Sequence, residues 1–232
     1  MIELPQVTLA AISSINLQQT KKALEYSCRG IHFGDVVLLS HKKPFMLSDK
    51  IRWEEIDEMK SIQTYNYFLL YELWKHIRTE FVLINHYDGF VINPQLWDDR
   101  YLDYDYIGSP WPVENCPEER IDEKGEICRV GNGVSLRSRK LLEFMCKYEI
   151  PFEPYKGTYS EDVLICVKNR YKLEECGIKI APLELAIKFG RENEICERDE
   201  GEATFLFHDW SGQNRKYRKF PVARVMDKIL ER

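Results

Sequence analysis

Short apolar segments alternate with amphipathic ones over the first ninety residues, and this alternation limits the possible folds more than any other feature. The segments at 7–13, 35–40 and 81–86 are short, apolar and typical of buried strands. A helical pattern that stops at Gly30 separates the first two, and a stronger one covers 61–78. Strand, helix and strand at this spacing predict parallel pairing with a right-handed crossover. We therefore expect half of an open, Rossmann-like α/β sheet.

The remainder of the chain is less regular. A polar excursion with two prolines and many charges is expected over 112–129. Strands are predicted at 104–109, 134–138, 179–189 and 203–208. Helices are predicted at 94–102, 139–148, 161–171 and 220–231. We predict one domain over 1–232, with a mostly parallel central sheet flanked by helices.

Composition excludes several classes of protein. A net charge of −5 offers no sustained basic face, which argues against nucleic acid as a partner. The seven cysteines are scattered without a Cys-x-x-Cys pair, so reduced, buried thiols are preferred to disulfides or a zinc site. No apolar run approaches the ~20 residues of a membrane span, and no basic region precedes the first apolar run. We expect a cytoplasmic protein.

Polar side chains follow the predicted strands at the edge where open α/β sheets bind ligands. They are Ser13 and Ser14, then His86-Tyr87-Asp88, then His208-Asp209. A carboxylate after one strand and a histidine after another could share Mg²⁺ or Mn²⁺, which usually keep positions open for substrate phosphates. Taken alone, an Asp-Gly pair such as Asp88-Gly89 more often marks a tight turn.

Five motifs in order make the chain resemble a known group of proteins. They are "FVLINHYDGFVINPQLW" (81–97), "YDYIGSPW" (104–111), "VGNGVSLRSRKLL" (130–142), "YSEDVLICV" (159–167) and "FLFHDW" (205–210). Together they resemble a domain-of-unknown-function family whose members look like glycosyltransferases of the GT-A fold. The resemblance covers about residues 5 to 212, and it implies a single GT-A-like domain.

The resemblance also implies a metal site. In GT-A enzymes a strand ends in an Asp-x-Asp motif whose last carboxylate binds Mn²⁺ or Mg²⁺ on the nucleotide diphosphate. Asp88 matches that carboxylate, and His86 stands where the first acid is missing. His208 matches a C-terminal histidine that is a further metal or diphosphate ligand. The literal Asp103-Tyr104-Asp105 precedes a strand instead of ending one, so it is the second choice.

Two further motifs are matched to the donor sugar and to the catalytic base. The segment at 131–138 is similar to the glycine-rich stretch along the donor sugar, where Asn132 and Gly133 would bind. "YSEDVLI" resembles the segment that carries the base of inverting members, with Asp162 as base and Glu161 as a ligand of sugar hydroxyls. An ordinary Asn-Gly turn and two acids suited to the first turn of a helix are the structural alternatives.

The other candidates are assigned less directly. Ser13 and Ser14 would lie near the nucleotide, with Thr64 and the residues up to Tyr67 as weaker candidates. Trp111 could stack on a sugar ring or pack in the core. Arg137 could approach the diphosphate, although a strand-end arginine is more often structural.

These assignments lead to a prediction of function with alternatives. The resemblance implies a hexosyltransferase-like enzyme that moves a sugar from a nucleotide-diphosphate donor, first of all a UDP-sugar, to a hydroxyl of a glycan or glycoconjugate. The transfer would be inverting and assisted by Mn²⁺ or Mg²⁺, as in polysaccharide biosynthesis. A non-catalytic sugar- or nucleotide-binding module would suit the missing acid. A nucleotidyltransferase ranks last, because "AAISSINLQQTKK" has no glycine for a phosphate loop.

Overall fold

The computed structural model describes residues 1–199 and 201–219, which form nine strands and six α-helices. The strands are β1 (Ile2–Ile12), β2 (Ile31–Ser40), β3 (Arg52–Glu55), β4 (Phe81–Ile84), β5 (Gly89–Val91), β6 (Tyr106–Ile107), β7 (Leu136–Ser138), β8 (Gly190–Arg191) and β9 (Leu206–His208). The α-helices are α1 (Leu17–Ser27), α2 (Ile62–Tyr71), α3 (Arg139–Lys147), α4 (Glu161–Val163), α5 (Arg170–Glu175) and α6 (Leu183–Phe189). Stretches of 3₁₀ helix lie at Leu73–His76, Pro94–Leu96, Asp99–Asp103, Glu118–Arg120 and Gly212–Lys219.

The central sheet has six strands in the order β3-β2-β1-β4-β7-β6. The pairings among β3, β2, β1 and β4 are parallel, and those of β7 with β4 and β6 are antiparallel. The sheet is therefore mostly parallel, which confirms the predicted class. A second sheet has three strands in the order β5-β9-β8. Its strand β5 is the next element after β4 in the chain.

Both faces of the central sheet are buried, as the apolar strands predicted. Leu9 and Ala11 of β1 belong to one apolar cluster, whereas Ala10 and Ile12 belong to another. Successive side chains of a strand point to opposite faces, so continuous burial means that layers cover the sheet on both sides. The carboxyl edge of the sheet is thereby left as the place where polar groups gather.

One predicted strand, at 179–189, is wrong over most of its length. Ile180 makes an isolated parallel bridge with Tyr106, but the chain from Leu183 to Phe189 is α6. Pro182 ends the extended part, since its fixed φ suits the residue before or at a helix start. Leu185, Ala186 and Phe189 are the buried residues of this helix, and their spacing is that of one helical face.

Two other predicted elements are refined. The predicted helix at 161–171 is divided into α4, a π turn over Leu164–Lys168, and α5. The excursion at 112–129 is irregular, but it is anchored where Tyr171 donates its hydroxyl to Asp122 over 2.6 Å. The predicted helix at 220–231 lies outside the described residues, and the assignment of 1–232 to one domain stays a prediction.

The cysteines differ partly from expectation. All seven are free, as predicted, but only Cys128 and Cys166 are buried, and Cys146 and Cys196 are exposed. Within the described ranges, no helix combines the length and apolar character needed to cross a membrane.

Candidate active site

A tight turn after β4 carries two of the predicted ligands. The backbone N–H of His86 donates to the Gly89 carbonyl over 2.7 Å, and the N–H of Gly89 donates back to the His86 carbonyl over 3.3 Å. The turn leads into β5, which pairs with β9 so that Gly89 lies opposite His208. This register brings His208 to the turn from far along the chain.

His86, Asp88 and His208 form a group that could hold a metal ion. One ligand atom from each lies within 4.8 Å of the other two. His86 Nδ1 and His208 Nε2 share a hydrogen bond of 3.2 Å, and His208 Nε2 is 4.0 Å from Asp88 Oδ1. Imidazole nitrogen and carboxylate oxygen are both common ligands of divalent cations, so these three residues fit such an ion.

The outer nitrogen of each imidazole has a partner of its own. His86 Nε2 shares a hydrogen bond of 2.7 Å with the hydroxyl of Tyr65. His208 Nδ1 shares one of 3.1 Å with Glu192 Oε1. The inner nitrogens are thereby left to face each other and Asp88.

Burial sets the protonation of this group. Desolvation, together with His208 and Arg137, holds the pKa of His86 well below its ordinary value. Desolvation also raises the pKa of Asp88. Burial would lower the pKa of His208, but the hydrogen bond and charge of Glu192 outweigh it, and that pKa is raised. His86 is therefore a neutral imidazole at pH 7, with one of its two ring nitrogens unprotonated.

A cavity of about 370 Å³ lies beside His86, between the ends of β1 and β4 and the start of α2. The predicted Ser13 and Ser14 both line it. The Ser13 hydroxyl donates to the Ile15 carbonyl, and Ser14 Oγ accepts the backbone N–H of Met59 over 2.8 Å. The cavity is at the carboxyl edge of the sheet, where ligands of open α/β folds bind.

The glycine-rich segment lies between the turn and the two acids. A Cβ on Gly133 would lie 3.2 Å from His86 Cε1 and 3.4 Å from Glu161 Oε1. The backbone N–H of Asn132 donates to Asp162 Oδ2 over 3.0 Å. Predicted donor-site and base residues are therefore brought together by the fold.

Glu161 and Arg137 form a buried ion pair. Arg137 Nη2 lies 2.7 Å from Glu161 Oε1, with side-chain exposures of 0% and 6%. The guanidinium also donates to Ser135 Oγ over 3.0 Å. Arg137 thus has the structural role that the sequence left open, and it holds Glu161 in one position.

Asp162 has the electrostatics of a proton acceptor. Burial, followed by the charge of Glu161, raises the pKa of Asp162 from 3.8 to about 7. A carboxylate with a pKa near the working pH is suited to general-base catalysis.

Two predicted residues are not brought to the site. Trp111 is only 1% exposed, and its ring packs on Gly131, where a Cβ would lie 1.9 Å from Trp111 Cζ2. Thr64 does not line the cavity, and its hydroxyl shares a hydrogen bond of 2.9 Å with Ser61 at the start of α2.

In the literal Asp-x-Asp sequence, Asp103-Tyr104-Asp105, the last aspartate also has a structural role. Asp105 accepts the Ser138 hydroxyl over 2.5 Å and the backbone N–H of Lys179 over 2.8 Å. These bonds hold β7 and the segment before α6 together, which accounts for the carboxylate without a metal.

Sequence reasoning missed Glu192 and gave Tyr65 only as part of a weaker range. Glu192 stands in "RENE", which reads as an exposed polar turn. Tyr65 could have been inferred from its position in the helix. It follows the N-cap Ser61 by about one helical turn, so both residues lie on the side of α2 that can face the edge of the sheet.

Comparison with known proteins identifies a family and a fold. Residues 50–208 match the model of a family described as protein of unknown function, DUF5672. No protein of curated function matches the sequence.

Solved glycosyltransferases have a similar structure. An active-site mutant of LgtC matches with a TM-score of 0.55 and 14% identity, over 94% of this chain and 95% of that one. The galactosyltransferase LgtC in complex with donor and acceptor sugar analogues matches with a TM-score of 0.54 and 13% identity, over 93% and 95%. The apo form of GlyE from Streptococcus pneumoniae matches with 0.54 and 11%, over 94% and 60%. The fold is that of the GT-A glycosyltransferases.

Proposed function

Because the chain belongs to the DUF5672 family, which has no assigned function, we propose its activity from the site: transfer of a sugar from a nucleotide-diphosphate donor to a hydroxyl group. The acceptor is a glycan or glycoconjugate, and a UDP-sugar is the first donor to test. A cytoplasmic location and a part in polysaccharide biosynthesis belong to the same proposal.

One observation carries this proposal: the group of His86, Asp88 and His208 adjoins a cavity at the carboxyl edge of the sheet. His86 belongs to both, since it lines the cavity and faces the other two ligands. A nucleotide in the cavity would extend its diphosphate toward the three ligands. The similarity to a galactosyltransferase complexed with donor and acceptor analogues supports the same reading.

The roles of the residues follow from their positions. His86, Asp88 and His208 would hold Mn²⁺ or Mg²⁺, which when bound neutralises the negative charge of the leaving diphosphate. Asn132, Gly133 and Glu161 would line the donor sugar.

Asp162 would act as the base. Its carboxylate would take the proton of the acceptor hydroxyl while that oxygen bonds to the anomeric carbon and the bond to the diphosphate breaks. Attack from the face opposite the leaving group inverts the configuration. A product with retained configuration would remove Asp162 from this role and leave the donor site intact.

The test is a thermal-shift titration with nucleoside diphosphates, with and without Mn²⁺, because a ligand that binds the folded state raises the melting temperature. We expect a Mn²⁺-dependent shift with one nucleotide, lost in Asp88→Ala. The matched control is Asp49→Ala, an exposed acid in the loop after β2. An unchanged melting temperature with every nucleotide would contradict the proposal.

A non-catalytic binding module is the second candidate, and the replacement of the first acid by His86 favours it. This candidate predicts the same nucleotide-dependent shift without release of nucleoside diphosphate from any donor. Turnover of one nucleotide sugar, with or without an added acceptor, rules it out.

A further inference from the structure

We propose that the group of His86, Asp88 and His208 selects transition-metal ions such as Co²⁺, Zn²⁺ or Mn²⁺ and discriminates against Mg²⁺ and Ca²⁺. This inference deepens the proposed function and rests on it, because the same three side chains are to hold the cation. It replaces an open choice between Mn²⁺ and Mg²⁺ by a definite order of affinity.

The donor atoms are the first argument. Two of the three facing atoms are imidazole nitrogens, and one is a carboxylate oxygen. Mg²⁺ and Ca²⁺ are hard cations that take oxygen ligands almost exclusively. Imidazole suits Zn²⁺, Fe²⁺ and Ni²⁺, and affinity for nitrogen-containing sites rises from Mn²⁺ through Co²⁺. Replacement of the first acid by His86 therefore changes which ion is favoured.

The spacing of the nitrogens is the second argument. Two nitrogens bound at about 2.0–2.1 Å to one ion are about 2.8–3.4 Å apart at angles near 90–110°. His86 Nδ1 and His208 Nε2 are 3.2 Å apart and share a hydrogen bond, so an ion between them would take the place of the shared proton. The imidazoles already have the separation of two ligands, and only the Asp88 carboxylate, at 4.0 Å from His208 Nε2, has to move closer.

The outer hydrogen bonds are the third argument. Glu192 Oε1 accepts from His208 Nδ1–H over 3.1 Å, so the lone pair of the neutral imidazole is on Nε2, which faces the site. The Tyr65 hydroxyl lies 2.7 Å from His86 Nε2, and its oxygen can accept a hydrogen bond from Nε2–H when the Nδ1 lone pair binds an ion. Such partners fix the tautomer and orientation of metal-bound histidines. Glu192 and Tyr65 are positioning residues in this arrangement.

The experiment is metal binding by the stripped, full-length protein, with and without UDP, measured by competition against a chromogenic chelator. We expect Co²⁺ to bind at least ~100-fold more tightly than Mg²⁺, with Mn²⁺ between them. The d–d absorption of bound Co²⁺ reports nitrogen ligation without any assay of activity.

Variants make the inference sharper. His86→Asp restores two carboxylates, so Mg²⁺ affinity is expected to rise and Co²⁺ affinity to fall, each by about tenfold or more. Glu192→Gln keeps every ligand and is expected to weaken Co²⁺ about 10–100-fold. His32→Ala is the matched control, because exposed His32 faces Glu3 at 2.7 Å and so pairs an imidazole with a carboxylate on the surface, outside the proposed site.

The outcomes are distinct. Mg²⁺ and Co²⁺ affinities within threefold of each other in the wild type would overturn the inference. So would Co²⁺ binding that survives Glu192→Gln but is lost in His32→Ala. If His86→Asp does not fold, the wild-type ion order and Glu192→Gln still decide. A confirmed ion order without nucleotide binding or turnover would instead refute the glycosyltransferase proposal alone.

Discussion

Gly89 has no room for a side chain, because side chains of the protein pack directly against it. A Cβ there would lie 2.5 Å from Val134 Cγ2 and 2.8 Å from His208 Cδ2. Val134 and His208 already occupy the space beside this glycine. The residue therefore sets how closely β9 and its histidine approach the turn.

Gly89→Ala is expected to destabilise the protein by about 1–3 kcal/mol, the usual cost of overpacking, and to displace His208. Chemical denaturation measures the first effect, and Co²⁺ titration measures the second as weakened affinity. Gly125→Ala is the control: its φ of +84° is strained for alanine, but nothing lies within 4 Å of the new Cβ. Wild-type Co²⁺ affinity in Gly89→Ala would contradict this account.

Asp162 links stability to pH with a definite sign. Its folded-state pKa of about 7 lies above the ordinary 3.8, so between these values the folded protein holds a proton that the unfolded chain has released. The contribution of Asp162 to stability therefore falls as pH rises from about 4 to about 7.

Asp162→Asn is expected to lose transfer activity by about 10²–10⁴-fold while becoming no less stable than the wild type above pH 7. Urea denaturation of both proteins at pH 4.5 and pH 8, with product release as the activity readout, checks the two effects together. A variant that is inactive because it is unfolded at pH 8 would count against the assignment.

At the scale of elements, the buried pair of Arg137 and Glu161 ties β7 to the start of α4. Removing one partner of a buried ion pair leaves the other charge uncompensated, so Arg137→Met is expected to cost about 3–5 kcal/mol. Arg137→Met combined with Glu161→Met should be more stable than the single variant, since both charges are then gone.

Urea denaturation measures both, and Lys75→Met serves as the control. Lys75 pairs with Glu72 on the surface, where such pairs contribute about 0–1 kcal/mol. Equal losses in Arg137→Met and Lys75→Met would show that burial of the pair has no energetic consequence.

Local pattern predicted the elements well where neighbours in sequence decide them. β1, α1 and β2 follow from apolar runs and the stop at Gly30, and all three form, although both strands begin earlier than predicted. Leu183 begins a helix instead of continuing a strand, because Pro182 precedes it at the N-cap position. The apolar composition of 179–189 is compatible with either element, so it did not reveal this boundary.

The site was predictable in part for the same reason. His86 and Asp88 follow a strand visibly, but Glu192 acquires its role only through contact with His208. Likewise, the sequence shows that Trp111 is an aromatic residue that could stack on a sugar. It does not show that the indole ring packs against Gly131. Such contacts depend on the tertiary packing of distant segments, which no local pattern encodes.

For the whole molecule, an ion bound by the folded state alone raises stability by mass action. At 100 times its Kd, Co²⁺ is expected to add about 2.7 kcal/mol, or about 5–10 °C in Tm for a chain of this size. Differential scanning calorimetry with and without Co²⁺ measures the shift. Asp88→Ala should reduce it strongly, and an equal shift in that variant would place the bound ion elsewhere.

His86 and His208 are 122 residues apart in the chain, yet they meet through the pairing of β5 with β9. An ion that binds both would close this stretch into a ring, much as a disulfide does, and ring closure removes more freedom from the unfolded chain the longer the loop. The second sheet could then separate only after the ion leaves. The rate of proteolysis should therefore report whether an ion occupies the site. Cleavage between the two histidines is expected to be slow in the ion-bound protein and fast in the ion-free one.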